Sequence, residues 1–378
     1  MRILCISECY PSVDAPQYGV FISQQVKALE GLRNTVDVLI PARSPKAGPM
    51  EQTEYGGNRV YKLPYCTIRY DLLPVLIANR AVRELAGLLE ENHYDLVAVH
   101  IVGDPFLLLT IKTCKKQGVP VVAHYHGLNV WEEYAKHHPM RQKFYAARRQ
   151  KALCDATGLV GVSEKVSDLL RFRIQTIPVR TVYNGVDVEL FREKKASGDI
   201  FRVIGVGNLI EIKGFAYLLE AFAMLHKQHP KTHLDIVGDG VLRKPLEEKA
   251  KELGVADAVT FHGKVPYERV AELMQESHLF VLPSFYEALG CVYLEAMGCH
   301  LPTIGVEGFG IDEIIRDGEN GLLTRPKDAA HLYEKMAYVL ENPQEAACMG
   351  RAGYETACRF TWEASGKALN DFYNECVK

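Results

Sequence analysis

Short apolar runs of strand length recur along this chain, and between them lie segments whose apolar residues return every three to four positions. In the first half the runs fall at residues 3–6, 36–40, 96–101, 119–123, 158–162 and 179–183. In the second they fall at 201–206, 234–237, 259–262, 279–282 and 303–304. Near-continuous apolar strands alternating with amphipathic helices predict parallel sheets covered on both faces, an α/β fold. At 378 residues the chain is too long for one ordinary core. Two doubly wound domains are expected, at residues 1–190 and 191–360, with a helical tail at 361–378 long enough to return to the first domain. The turn signal Asn184-Gly185 closes the first domain, and polar residues 192–199 read as the linker.

Charge divides unevenly between the halves. Through Asp187 there are 23 Lys+Arg against 18 Asp+Glu, and in the remainder 21 against 29. The first half should attract anions weakly, but nothing is basic enough to argue for nucleic acid. Ten scattered cysteines, with no C-x-x-C pair, fit free thiols in a reducing compartment. No apolar run approaches the roughly 20 residues that span a bilayer, and no signal peptide opens the chain. A cytoplasmic protein is expected.

Chemistry concentrates in PSFYEALGCVYLEAMGC, residues 283–299. It reads as a strand end, a turn and a helix over 289–297, with Gly290 near the helix start, where an anionic group can approach free backbone amides. Glu287 and Glu295 stand eight residues apart, which on one helix is roughly 12 Å along the axis. That is too far to flank one glycosidic bond as paired acid and base, which needs about 5 to 9.5 Å. The pair suits the two ends of an extended ligand with phosphates between them, such as a nucleotide sugar. Taken alone, Glu295 is equally well a solvated helical glutamate.

A second phosphate-binding candidate is GVGNLIEIKG, residues 205–214, which follows a strand and precedes a helix over 215–228. Its glycines can cradle phosphate and Lys213 can supply counter-charge. Ile210 stands where a dinucleotide fingerprint needs Gly or Ala, and no Walker A loop is present. In the first half, Gly19 opens a helix after the first strand and permits close ligand approach, although a simple turn glycine fits as well. His124 and His126 end a buried strand, where ligands bind in open α/β sheets. His126, followed by Gly127, is the better candidate, against the commoner outcome of a structural histidine. The basic aromatic segment 137–153, with Arg141, Lys143, Arg148, Arg149 and Lys151, is consistent with an anionic membrane surface, and more readily with a solvated helix packed through one face.

Together these residues resemble the retaining GT-B glycosyltransferases of glycosyltransferase family 4, the group 1 glycosyl transferases. The resemblance rests on E-x7-E (Glu287 to Glu295), on GNL…KG (Gly207 to Gly214) and on YNGVD (Tyr183 to Asp187), with IVGDG, FHGKV and GIDEIIRDGENGLL at matching positions. It implies two Rossmann-like domains facing across a cleft, the first for the acceptor and the second for a nucleotide sugar, most often a UDP-sugar. It implies that Lys213 neutralises the diphosphate, Glu295 binds ribose, Glu287 contacts the sugar, and amides of Leu289, Gly290 and Cys291 meet phosphate. The backbone near Val265 would meet the base, Gly19 would line the donor site, and His126 would lie near the reactive carbon. Retention would follow from same-face attack. No D-x-D motif is present, so no bridging metal is expected, and no cofactor beyond the donor. Asn208 departs from the usual Arg, His300 from a usual Gly, and Ala288-Leu289 from Gly-Phe or Ser-Phe. The acceptor is expected to be a sugar or lipid-linked hydroxyl. An epimerase, a phosphorylase or an idle nucleotide-sugar binder are the competing readings.

Overall fold

The apolar runs assemble into two separate sheets in the computed structural model, which describes residues 1–13, 15, 18–68, 76–77, 79–100, 102, 104–127, 148–193 and 199–378. The chain packs as two units: Met1–Tyr183 with Trp362–Lys378, and Asn184–Thr361.

The first unit is built on β1 (Arg2–Ile6), β2 (Thr35–Arg43), β3 (Glu51–Tyr55) and β4 (Asn58–Tyr65), followed by a two-stranded pair, β5 (Thr67–Ile68) and β6 (Leu76–Ile77). It continues with β7 (Leu96–Val99), β8 (Val121–Tyr125), β9 (Gly158–Gly161) and β10 (Val179–Thr181). The main sheet runs β10-β9-β8-β7-β1-β2-β4-β3, parallel except for β3. Ile3 pairs with Val36 on one side and Leu96 on the other. The strand expected at 96–101 ends at Val99, and Ile101 lies outside the described residues. The strand expected from 119 starts at Val121, because Pro120 has no N–H to give the ladder and contributes only its carbonyl, to Val97 N at 2.9 Å. The β3–β4 hairpin was not legible in the apolar pattern. Glu51–Tyr55 is an exposed, charged edge strand, and Gly56 and Gly57, at φ 61° and 87°, supply the left-handed turn its hairpin needs.

The second unit is built on β11 (Phe201–Val206), β12 (Thr232–Val237), β13 (Val259–Gly263), β14 (Leu279–Val281), β15 (Thr303–Val306) and β16 (Leu322–Thr324). All are parallel, in the order β13-β12-β11-β14-β15-β16. Strand order therefore reverses between β11 and β14, as it does between β1 and β7 in the first sheet. A crevice opens at the carboxyl ends of the strands at such a reversal, because neighbouring connections leave for opposite faces.

The C-terminal helix Trp362–Val377 completes the core of the first unit, not the second. Its Leu369, Phe372 and Tyr373 are buried among Ile3, Cys5, Val26, Leu29, Val122 and Val160. It lies against the helix Val20–Gly31 so closely that a Cβ on Gly366 would stand 2.6 Å from the Cβ of Ala28. Among the described residues no helix is long and apolar enough to cross a membrane. Of the basic segment 137–153, residues 137–147 lie outside the described residues.

The Gly366 contact gives a test of the packing. Gly366→Leu forces four carbons into a contact with no room for one, and overpacking of this kind costs about 1 to 3 kcal/mol. Thermal denaturation should show the unfolding of the first unit shifted down by several degrees, and an unshifted midpoint would show the two helices to be loosely apposed.

Candidate active site

In the second unit the loops after β11 and β14 meet at the strand-order reversal. The first loop leaves β11 at Gly207 and makes a short 3-10 turn, Glu211–Lys213, before the helix Phe215–Gln228. Gly214, at φ 72°, joins the two, and a Cβ there would lie 2.2 Å from the carbonyl oxygen of Pro283. The loop after β14 is tied to this turn through one acceptor: the Ile212 carbonyl receives Ser284 Oγ at 3.1 Å and Phe285 N at 3.0 Å. Lys213 Nζ consequently reaches the Glu287 carboxylate and forms an ion pair with it, both side chains mostly buried.

The helix expected over 289–297 is Cys291–Gly298, with Gly290 as its N-cap at φ 79°. Glu287 therefore lies in the loop ahead of the helix, and the 12 Å separation inferred from helical rise does not hold. The chain turns at Gly290 because a Cβ there would meet the Tyr293 ring at 2.7 Å, so Gly leaves the turn tight. Among the described residues no side chain caps this helix, which leaves its first-turn amides and the positive end of its dipole for an anion.

Glu295 sits inside this helix and is 8% exposed, so it is a core carboxyl rather than a solvated one. Tyr267 Oη donates to it at 2.7 Å, and the Tyr267 ring is itself held edge-on to Phe191. Burial pushes the Glu295 carboxyl up to about 7, opposed by the Tyr267 hydrogen bond. Cys291, which receives Asn184 Nδ2 at 3.2 Å, has its thiol pushed up to about 12, chiefly by burial. It is an unreactive thiol at neutral pH. Leu289 is buried, Val265 lies between β13 and the helix Tyr267–Gln275, and Asn208 is exposed. Lys213, Glu287, Leu289, Gly290, Cys291 and Glu295 are thus gathered around one helix start, with Asn208 at the exit of the neighbouring strand β11.

In the first unit His126 follows β8, and Gly19 caps the helix Val20–Gly31 at φ 77°. A Cβ at Gly19 would fall 2.5 Å from the Cys9 carbonyl, so the loops after β1 and before the helix can touch only through Gly. Phe21, two residues on, packs its ring 5.1 Å from that of His126. Gly19 and His126 therefore belong to one neighbourhood at the β1–β7 reversal. Sequence reasoning missed His100, Tyr267 and Tyr373. His100 directly follows β7, but the strand expected over 96–101 placed it inside. Tyr267 and Tyr373 carried none, since their contacts join residues 28 and 249 positions apart.

Residues 187–356 match the model of the group 1 glycosyl transferases, and residues 19–190 match that of Glycosyltransferase Family 4. The chain belongs to this glycosyltransferase family. The D-inositol 3-phosphate glycosyltransferase of Corynebacterium jeikeium is 27% identical to this glycosyltransferase, over 99% of this chain and 97% of the relative. Among solved structures, sucrose-phosphate synthase from Thermosynechococcus elongatus superposes with a TM-score of 0.78 at 21% identity, covering 99% of this chain and 98% of its own. Anabaena HepE in complex with UDP-glucose gives a TM-score of 0.76 at 18% identity, covering 99% of this chain and 100% of its own. The glycosyltransferase has the GT-B fold, two parallel-sheet α/β domains.

The buried carboxyl makes the stability of this glycosyltransferase depend on pH in a defined direction. The folded chain keeps a proton on Glu295 up to about pH 7, whereas the unfolded chain releases it near the ordinary 4.5. The folded state binds the extra proton in that window, so the contribution is complete below 4.5 and is lost as pH rises through 7. At full loss it is worth about 3 kcal/mol. Relative to Glu295→Gln, the wild type should lose thermal stability between about pH 5 and about pH 8. A constant difference across that range would mean that Glu295 is already ionised in the folded chain.

Proposed function

We propose that this glycosyltransferase takes a sugar from a UDP-sugar, joins it to an acceptor hydroxyl with retained anomeric configuration, and uses no bridging metal. The observation that carries the reading is the Lys213–Glu287 ion pair beside the uncapped start of the helix Cys291–Gly298. Breaking the anomeric C–O bond puts negative charge on the departing diphosphate and positive character on the sugar. Lys213 and the amides of Leu289, Gly290 and Cys291 answer the first charge. Glu287, holding the same lysine, faces the sugar. Glu295, deeper in the helix, accepts from the ribose hydroxyls, and the backbone near Val265 meets the base. His126 in the first domain stands by the reactive carbon. The acceptor oxygen forms the new C–O bond on the face the diphosphate leaves, and the hydroxyl proton passes to the departing phosphate oxygen.

With Asn208 at the exit of β11, Lys213 is the cation of the loop 207–214. A diphosphate arriving at Gly290 competes with Glu287 for it. UDP is favoured as the nucleotide by the likeness to HepE, which was captured with UDP-glucose. A hydroxyl acceptor is favoured by the corynebacterial relative, whose name specifies an inositol phosphate. A lipid-linked or polysaccharide intermediate is the acceptor class proposed for this chain, at the cytoplasmic face of a membrane.

Calorimetric titration of UDP and UDP-sugars separates the assigned roles. Lys213→Ala should weaken both ligands by about 1.5 to 3 kcal/mol, the worth of a hydrogen bond to a charged group. Glu295→Ala should weaken free UDP and UDP-sugar alike, while Glu287→Ala should spare free UDP. Unchanged affinity and turnover in folded Lys213→Ala would sink the diphosphate assignment, and equal effects of the two glutamates would sink the division between ribose and sugar.

The membrane part of the proposal rests on the five Lys/Arg and two aromatic residues of 137–153. Near an anionic bilayer each charge contributes about 1 kcal/mol at low salt. Wild type should co-sediment with anionic but not neutral vesicles, losing this at high salt, and the combined Arg141→Glu, Arg148→Glu and Arg149→Glu variant should not co-sediment. Indifference of the wild type to both vesicle types, with transfer to a soluble acceptor intact, would remove the lipid-linked acceptor.

A further inference from the structure

Three histidines of the first unit share one neighbourhood. His100 directly follows β7, its backbone pinned by His100 N to Ile6 O at 2.8 Å. His124 and His126 stand at the end of the neighbouring β8. His100 Nδ1 lies 3.1 Å from His126 Nε2, a hydrogen bond between two imidazoles. The His100 ring is stacked on His124 at 4.0 Å, and His124 Nε2 is bonded to Tyr373 Oη at 2.7 Å. His126 Nδ1 is buried and has no hydrogen-bond partner among the described residues. Burial holds all three imidazoles below their ordinary range, His126 at about 4, so all are neutral near pH 7.

One nitrogen from each ring lies within 4.8 Å of the others, a spacing that invites a metal reading. Ring orientation decides against it. The planes are within 14° to 28° of one another, with His124 lying over the face of His100. Imidazole lone pairs lie in the ring plane, so stacked rings do not aim them at one point. The arrangement is a hydrogen-bonded pair, His100 with His126, resting on His124 and through it on Tyr373 of the C-terminal helix.

We propose that His100 is a positioning residue for sugar transfer: its Nδ1 shares one proton with His126 Nε2 and so sets the ring angle of His126 and couples its tautomer to that of His100 where His126 meets the donor sugar. A neutral imidazole carries one N–H, so the role of Nε2 dictates that of Nδ1. If Nε2 accepts from His100, Nδ1 donates into the site; if Nε2 donates, Nδ1 accepts. Without His100 this coupling is lost, the His126 ring is free to turn, and part of the protein presents the wrong tautomer. This inference rests on the reading of His126 as the residue beside the reactive carbon.

The test uses the full chain with His100→Phe, which keeps a ring for His124 to stack on but offers no nitrogen, and His100→Asn, whose amide returns a polar nitrogen near the position of Nδ1. His100→Phe should lower kcat by about 10- to 100-fold, the scale of a misplaced catalytic group, and His100→Asn should recover most of it. Donor KM should stay within about threefold, since the loss falls on the transition state. Nitrogen NMR of the imidazoles should report one tautomer of His126 in the wild type and a mixture in His100→Phe. The double variant with His126→Ala should be no slower than His126→Ala alone. Wild-type kcat in His100→Phe, multiplying losses in the double variant, or a tautomer mixture already in the wild type would each overturn the proposal. The reading of His126 fails separately, and recognisably, if His126→Ala by itself leaves kcat unchanged.

Discussion

The carbonyl of Ile212 holds the two loops of the candidate site together. It accepts from Ser284 Oγ and Phe285 N, 72 and 73 residues further along the chain, and so joins the loop after β11 to the loop after β14. Because the 3-10 turn ends at a left-handed Gly214 pressed against Pro283, Lys213 is delivered to Glu287 with little freedom of its own. The ion pair is a result of backbone hydrogen bonding. Both of its members are mostly shielded from water, where an unpaired charge would be costly, and each justifies the burial of the other. A ligand phosphate that takes the lysine must leave Glu287 with something else to bind, and a sugar hydroxyl is a suitable donor. In the proposed reaction the two roles would be coupled through one cation.

The deeper carboxylate works under a different constraint. Glu295 is buried in the helix Cys291–Gly298 and is held by a tyrosine from another helix, with its proton affinity raised into the neutral range. A group held this way is uncomfortable as an anion until hydroxyl donors reach it. The site is therefore pre-organised at some expense to the stability of the free protein, the usual signature of a position kept for binding rather than for folding.

Much of this was legible in the sequence because parallel strands buried on both faces leave an unbroken apolar signature, and because the loops that follow them at the strand-order reversals carry the polar and glycine residues. Lys213, Gly290 and Glu295 could be found that way. What the sequence hid is instructive. The edge strand Glu51–Tyr55 is polar and exposed, so no apolar pattern marks it. The true start of the helix at Cys291 depends on a steric clash at Gly290 with Tyr293 that only the folded turn reveals. Tyr267 and Tyr373 act over separations no local pattern reports, and His100 was passed over because its partner stands on a different strand.

The last helix of the chain belongs to the first core, and this has a consequence for how the molecule is made. Residues Asn184–Thr361 form an uninterrupted unit that can close as soon as it is synthesised. The core of the first unit, by contrast, lacks Leu369, Phe372 and Tyr373 until residues 362–378 have been added. Its apolar face against Val26, Leu29 and Val160 must wait, so the unit begun before Asn184 is completed only after Asn184–Thr361 has been made.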